Sequence, residues 1–170
     1  MLQTRWSRED DVPRLAEIRR MAWTHAYTGL IPAAALARLA SEHGMGWWLE
    51  RVEEGQSALV IELADTVQGY AWIGKQRGLK VNGDARGEIY ELYLDPAAQG
   101  TGLGRKLFAS ARARLAEAGF TGVVVRSLAE NESGCRFYRA LGGQEVGCGM
   151  TRVDGQWLPE ITFSWRWKAS

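Results

Sequence analysis

Residues 99–104 read QGTGLG, set between the strand-like stretch GEIYELYLDP and the amphipathic run RKLFASARARLAEAG. The first amides of a helix have no intrahelical acceptor and carry the positive end of its dipole. Missing side chains at Gly100, Gly102 and Gly104 let an anionic oxygen come within bonding distance of such amides. This spacing predicts a site for a phosphate-bearing ligand. Arg105 and Lys106 in the first turn oppose the dipole unless they also face an anion. Two familiar phosphate motifs fail on required residues. A Walker loop needs GxxxxGK[ST], and five residues after Gly100 stands Arg105 with no Gly-Lys pair. The dinucleotide fingerprint GxGxxG, started at Gly100 or at Gly102, needs glycine where Arg105 or Leu107 stands.

The strand before the glycines carries two carboxylates. Alternation puts Glu88 and Tyr90 on one face and Glu91 and Tyr93 on the other, unless a bulge shifts the phase. Later, NESGCRFYRAL places Tyr138 one turn from Cys135. Cys135 and Cys148 have neither CxxC nor ligand-like spacing, and His25 and His43 stand far apart in sequence, so no metal site is expected. Both cysteines read as reduced thiols.

The elements that must position these groups follow from periodicity and breakers. LQTRWS is a first strand, and Val12, Leu15, Ile18, Met21 and Ala22 mark an amphipathic helix with Pro13 in its first turn. Gly29 and Pro32 break it, and the stretch to Gly55 reads as one or two further helices. QSALVIELAD and TVQGYAWIGKQ suit an antiparallel hairpin, although their turn residues are not the strongest type. The polar loop RGLKVNGDARG leads into the strand carrying Glu88. After the glycines, Leu103, Leu107, Phe108, Ala111 and Leu115 form one helical stripe, stopped by Gly119. The strand GVVVRS, a helix ending at Gly142 and two last strands around DGQ complete the chain. The order implies an α/β fold, a mixed sheet with helices on its faces, in one domain spanning residues 1–170.

Composition restricts the function further. With 46% apolar and 24% charged residues over 170 positions, the chain is an ordinary globular protein. A formal net charge of +1 removes bulk electrostatics as a reason to bind nucleic acid or an anionic membrane. No run approaches the roughly 20 apolar residues of a membrane span, and the start MLQTRWSREDDV lacks signal-peptide features, so a cytoplasmic location is expected. Eight tryptophans are expected mainly in the core.

QGTGLG resembles the Q/R-x-x-G-x-G/A motif of the GNAT superfamily of acetyl-coenzyme A (acetyl-CoA) dependent N-acetyltransferases. GEIYELYLDPAAQGTGLGRKLFASARARLAEAG is similar to that family's strand-loop-helix core, and NESGCRFYRALGG to its later N-x-x-A-x-x-F-Y-x-x-L-G-F segment; together they cover residues 87–143. Gly134 stands where alanine is usual and Gly143 where phenylalanine is usual. The segment AWTHAYTGLIP also resembles the first helix and loop of many bacterial members. The resemblance implies a mostly antiparallel sheet of about seven strands, splayed around acetyl-CoA. It implies Gln99, Gly100, Thr101, Gly102, Leu103, Gly104 and Arg105 as the pyrophosphate loop, and Leu92, Tyr93 and Leu94 as the strand that pairs with the pantetheine. An amide of Leu92 or Leu94 would bind the thioester oxygen as charge builds on it. Asn131, Ser133 and Phe137 would line the pantetheine arm, and Tyr138 matches the tyrosine that protonates the departing sulfur.

Acyl transfer to an amine needs the neutral nucleophile. At pH 7 this costs about 4.6 kcal/mol for an amine of pKa about 10.4 and only about 1 kcal/mol for an α-amino group. Glu88 matches the catalytic glutamate of the family's histone-acetylating branch and ranks first as base, with Glu91 second. Trp23, Tyr27 and Arg86 are the expected walls of the acceptor site. The reading is direct transfer in a ternary complex to a primary amine of a small molecule or peptide, with no metal. Another acyl-CoA donor, or a CoA-binding regulatory module without catalysis, remains open. The aromatic last strand ITFSWRW leaves open a homodimer interface or an ordinary internal strand.

Overall fold

The computed structural model describes residues 1–78 and 86–167, so most of the polar loop expected before Glu88 lies outside the described residues. In chain order the elements are β1 (Leu2–Trp6), α1 (Val12–Tyr27), α2 (Ala33–Ser41), α3 (Met45–Glu53), β2 (Leu59–Leu63), β3 (Thr66–Lys75), β4 (Gly87–Leu94), α4 (Leu103–Glu117), β5 (Gly122–Leu128), α5 (Glu132–Ala140), β6 (Gln144–Val153) and β7 (Gln156–Arg166). The strands form a seven-stranded, mostly antiparallel sheet in the order β1-β2-β3-β4-β5-β7-β6, which is the expected fold class. β4 pairs with β5 in parallel, over Gly87–Ile89 against Val123–Val125. Packing divides the chain into two compact units, one of residues 1–72 and 91–110, the other of residues 73–90 and 111–170.

In the first unit, Val12, Leu15 and Ile18 of α1 pack with Trp48 of α3 and with Ala58, Val60, Val67 and Tyr70. The i, i+3, i+6 spacing of the α1 residues lays them on one face, and burying a side chain of this size contributes about 1.5–3 kcal/mol. The β2–β3 hairpin turns on Ala64 and Asp65, both in the left-handed region at φ 49° and 62°. Their mirror-image turn matches the strand twist although neither residue is glycine or asparagine.

In the second unit, Val123, Val124 and Val125 are fully or almost fully buried. Burial of three consecutive residues means that both faces of β5 are covered, which is what a continuous apolar run serves. The stripe of α4 is buried at Ala111 and Leu115 in this unit and at Leu103, Leu107 and Phe108 in the first, as its spacing predicts. The tryptophans correct the expectation of core burial. Only Trp48 and Trp165 are buried, while Trp6 and Trp157 are exposed and the other four lie half-buried. An indole is large enough to touch the core and still leave an edge outside it.

Both departures from the family pattern have a packing cause. A Cβ on Gly143 would sit 2.6 Å from the Trp165 indole and 2.9 Å from the Tyr138 carbonyl oxygen. Trp165 is anchored there by its Nε1, which donates to the Leu141 carbonyl at 3.1 Å. A Cβ on Gly134 would meet the Asn131 side chain at 2.7 Å, the same side chain that caps α5 by accepting from the Gly134 amide. The indole therefore occupies the space of the missing aromatic ring. Replacing Gly143 by phenylalanine is expected to destabilise the fold by about 1–3 kcal/mol through overpacking, measured by chemical denaturation. The double variant Gly143→Phe with Trp165→Ala should recover part of that loss.

Candidate active site

β4 ends at Leu94, and Asp95 then fixes the direction of the chain. Its carboxylate accepts from the Ala97 amide at 2.9 Å, capping a short 3-10 turn at Pro96–Ala98, and pairs with Arg14 of α1 at 2.6 Å. Its amide donates to the Gln68 carbonyl of β3 at 2.8 Å. From this anchor the loop runs through Gly100 at φ 74° and Gly102 at φ 84°, conformations that L side chains rarely adopt. The Gly102 carbonyl accepts the Lys106 amide at 3.2 Å, which starts α4 and leaves the amides of Leu103, Gly104 and Arg105 as its first turn. A Cβ on Gly100 or Gly102 would meet nothing within 4 Å, so open space lies over the loop. The three glycines therefore differ: Gly100 and Gly102 are needed for their backbone angles, whereas Gly104 is helical and buried. The Thr101 hydroxyl donates locally to the Ala98 carbonyl at 2.5 Å, and Arg105 and Lys106 are exposed.

The two carboxylates of β4 engage separate partners. In the first unit Glu91 is 7% exposed and takes three donors. Tyr70 donates to Oε2 at 2.8 Å, while Arg19 Nε at 3.2 Å and His43 Nδ1 at 2.6 Å reach Oε1. Burial alone would raise its pKa, but the His43 bond, the charges of His43 and Arg19 and the Tyr70 bond outweigh it and hold the carboxyl below its ordinary value. Burial and then the Glu91 charge push the Tyr70 phenol well above its usual range, and Tyr93 moves the same way for the same first two causes. Both phenols stay protonated, and Tyr70 donates to Glu91. Trp23 Nε1 donates to the Tyr93 hydroxyl at 2.9 Å, and the Arg19 guanidinium lies 5.0 Å from the Trp23 ring centroid.

In the second unit Glu88, 3% exposed, pairs with Arg126 at 2.8 Å and accepts the Arg77 amide at 2.7 Å. The Arg77 guanidinium, 3.6 Å from Glu88 Oε1, also covers the Tyr90 ring at 3.9 Å. The predicted alternation holds: Glu88 and Tyr90 share Arg77, while Glu91 and Tyr93 share Tyr70, a hydrogen bond to the first and a ring contact at 5.9 Å to the second. On α5, Tyr138 is buried against Phe137, Phe163 and Trp165, Asn131 is the N-cap, Ser133 is exposed and Phe137 half-buried. Cys135 is buried beside Ser127 and the Leu128 carbonyl.

Two of the three expected acceptor-wall residues are buried. Arg86 is buried and donates to the Ser164 hydroxyl of β7, and desolvation lowers its pKa. Tyr27 is 5% exposed. Trp23 alone of the three keeps an exposed edge. The residues that sequence reasoning missed are Arg19, His43 and Tyr70, which meet Glu91 from 72, 48 and 21 positions away. The one local signal was the histidine-glycine pair between two helical stretches.

Comparison with known proteins bears on the family and the fold. The chain is 27% identical over 165 residues to the uncharacterized N-acetyltransferase YuaI of Bacillus subtilis, covering 97% of this chain and 93% of that protein. It is also 27% identical to the L-amino acid N-acyltransferase MnaT of Escherichia coli, over 95% of this chain and 91% of that one. The structure of yncA from Salmonella typhimurium, solved with its cofactor acetyl-CoA, has the same fold at a TM-score of 0.72 and 24% identity, over 100% of this chain and 96% of that one. The model of the acetyltransferase (GNAT) family matches residues 12–143, well over half of the sequence, and the chain therefore belongs to that family of acetyl-CoA dependent N-acetyltransferases.

Proposed function

We propose that this chain works as one N-acetyltransferase domain in the cytoplasm, moving an acetyl group from acetyl-CoA directly to a primary amine of a small molecule or peptide. The observation that carries the reading is the loop at Gly100 and Gly102, whose two left-handed glycines open onto empty space at the first turn of α4. Its residues fit a pyrophosphate: backbone amides without intrahelical acceptors, a helix dipole, and two exposed cations in Arg105 and Lys106. The amides from Gly100 to Gly104 would hold the pyrophosphate, and Leu92–Leu94 would hold the pantetheine. The ladder between β4 and β5 covers Gly87–Ile89 among the described residues, which supports a free main-chain edge further along β4. When bound, the co-substrate supplies an acetyl thioester, and the chain's residues orient it and manage protons.

Tyr138 is the proposed donor to the sulfur, the role that its family motif implies. The amine acceptor is proposed as a primary amine beside Trp23, since Tyr27 and Arg86 are buried. Glu88 has its carboxylate engaged by Arg126 and by the Arg77 amide, which suits holding a structure better than taking a proton.

Gly102→Glu puts a carboxylate at the dipole's positive end and a Cβ where φ is 84°. Calorimetry should read acetyl-CoA binding by the native chain and a loss of at least about tenfold in the variant, about 1.4 kcal/mol. Unchanged binding would remove the loop from the cofactor site. Tyr138→Phe should lower kcat about a hundredfold with little change in the KM for acetyl-CoA; an unchanged kcat would end the role of its hydroxyl.

A further inference from the structure

His43 stands between α2 and α3 in a conformation that needs a reason. Its φ is 50°, in the left-handed region, which a residue with a side chain adopts only where its surroundings hold it. Three features of the first unit hold it there. Arg19 of α1, 3% exposed, donates from Nη1 to the carbonyls of Leu39 and Glu42 at 2.6 and 2.8 Å, tying down the C-terminal end of α2 directly before the histidine. The imidazole stacks on Trp47, 3.9 Å between centroids and 15° from parallel, and Trp72 meets it edge-on at 6.1 Å while also packing against Trp47 at 4.8 Å. Glu91 of β4 then meets Nδ1 at 2.6 Å.

This last contact sets the tautomer. An ionised carboxylate only accepts, so Nδ1 carries the proton and Nε2 is the basic nitrogen of the neutral ring. The Glu91 carboxyl is buried, yet the His43 side chain keeps 28% exposure, so the ring is reachable from outside while its orienting partner is not. Glu91 also directly precedes Leu92, the first residue of the strand proposed to hold the thioester. A buried carboxylate thus aims an accessible imidazole from a point one residue away from the proposed reacting strand.

We propose that His43 is the base of the transfer reaction and that Glu91 is its positioning residue. The inference rests on the N-acetyltransferase reading. The acceptor enters as an ammonium, and His43 Nε2 takes one proton from it. The freed lone pair forms the C–N bond to the acetyl carbon as the C–S bond breaks, the sulfur takes the electron pair of that bond and leaves as a thiol with the proton of Tyr138, and the second proton of the nitrogen restores the Tyr138 hydroxyl. Products are the amide, the thiol of coenzyme A and one proton on His43, which returns to solvent. Glu91 stabilises the imidazolium formed, and the indoles of Trp47 and Trp72 wall the ring. The charged and titratable groups that face this pair are Arg19 from α1, Tyr70 from β3, and Arg51 of α3, which lies over Trp47 at 5.1 Å.

His43→Asn is the test, because asparagine tolerates the left-handed conformation and can still donate to Glu91 but cannot take a proton. The full chain is assayed for thiol release from acetyl-CoA across pH with L-amino acids, an alanyl peptide, spermidine and an aminoglycoside, and its melting midpoint is checked. The expected result is a drop in kcat/KM of about a hundredfold, larger for acceptors of higher pKa, and loss of the acid limb of the pH profile. Glu91→Gln should keep that limb and lower kcat with the KM for acetyl-CoA unchanged, because the imidazolium formed in the reaction loses its anion. Native activity with an unchanged profile in His43→Asn overturns the proposal and leaves the transferase reading standing, as does loss of the limb in Glu88→Gln instead. A native chain that binds acetyl-CoA yet acetylates no member of the panel overturns the transferase reading, and the proposal with it.

Discussion

One buried carboxylate organises the first unit. Glu91 is 7% exposed on β4, and an ion removed from water costs several kcal/mol unless donors replace its hydration. The replacement comes from three directions: Arg19 on α1, Tyr70 on β3 and His43 between α2 and α3. Each donor is fixed elsewhere in turn. Arg19 also holds the carbonyls at the end of α2, Tyr70 is a fully buried core residue packed on Trp48, and His43 is stacked on Trp47. Satisfying one charge therefore sets the positions of two helices and of the histidine, and it holds β4 against them where its last residues lead into the glycine loop.

The second unit uses the same principle with different chemistry. Glu88 is ion-paired and accepts a backbone amide, so its charge is compensated along the strands rather than by helices. Around α5 the packing is aromatic, with Trp165 filling the place that Gly143 leaves open and Tyr138 lodged beside Phe163. The two glutamates of one strand thus have distinct surroundings. Strand alternation separates their side chains, and what each one meets decides what each can do.

What could be read from the sequence was local. The α4 stripe, the glycine turn and the strand alternation of β4 depend on neighbours within a few residues, and all appear in the structure. The departure at Gly143 was visible, but its cause, Trp165, lies 22 positions away on β7. The Glu91 network was illegible for the same reason, since no spacing rule links Arg19, His43 and Tyr70 to one carboxylate. Tyr27 and Arg86 were expected at an acceptor wall from their places in the first helix and in the loop before β4, and their burial depends on packing partners that spacing does not reveal. The Ala64–Asp65 turn adopts the backbone that asparagine-glycine prefers, because pairing of β2 with β3 on either side imposes it.

Direct attack of the amine on bound acetyl-CoA is the central proposal for this chain, and kinetics can test it. The measurement is the initial rate of thiol release while acetyl-CoA and one accepted amine are varied together. The account predicts release that requires the amine and double-reciprocal lines that intersect, the signature of both substrates bound before transfer. Parallel lines would mean a covalent acetyl-protein intermediate, and binding of acetyl-CoA with no amine-dependent release would mean a coenzyme A binding module; either would contradict it.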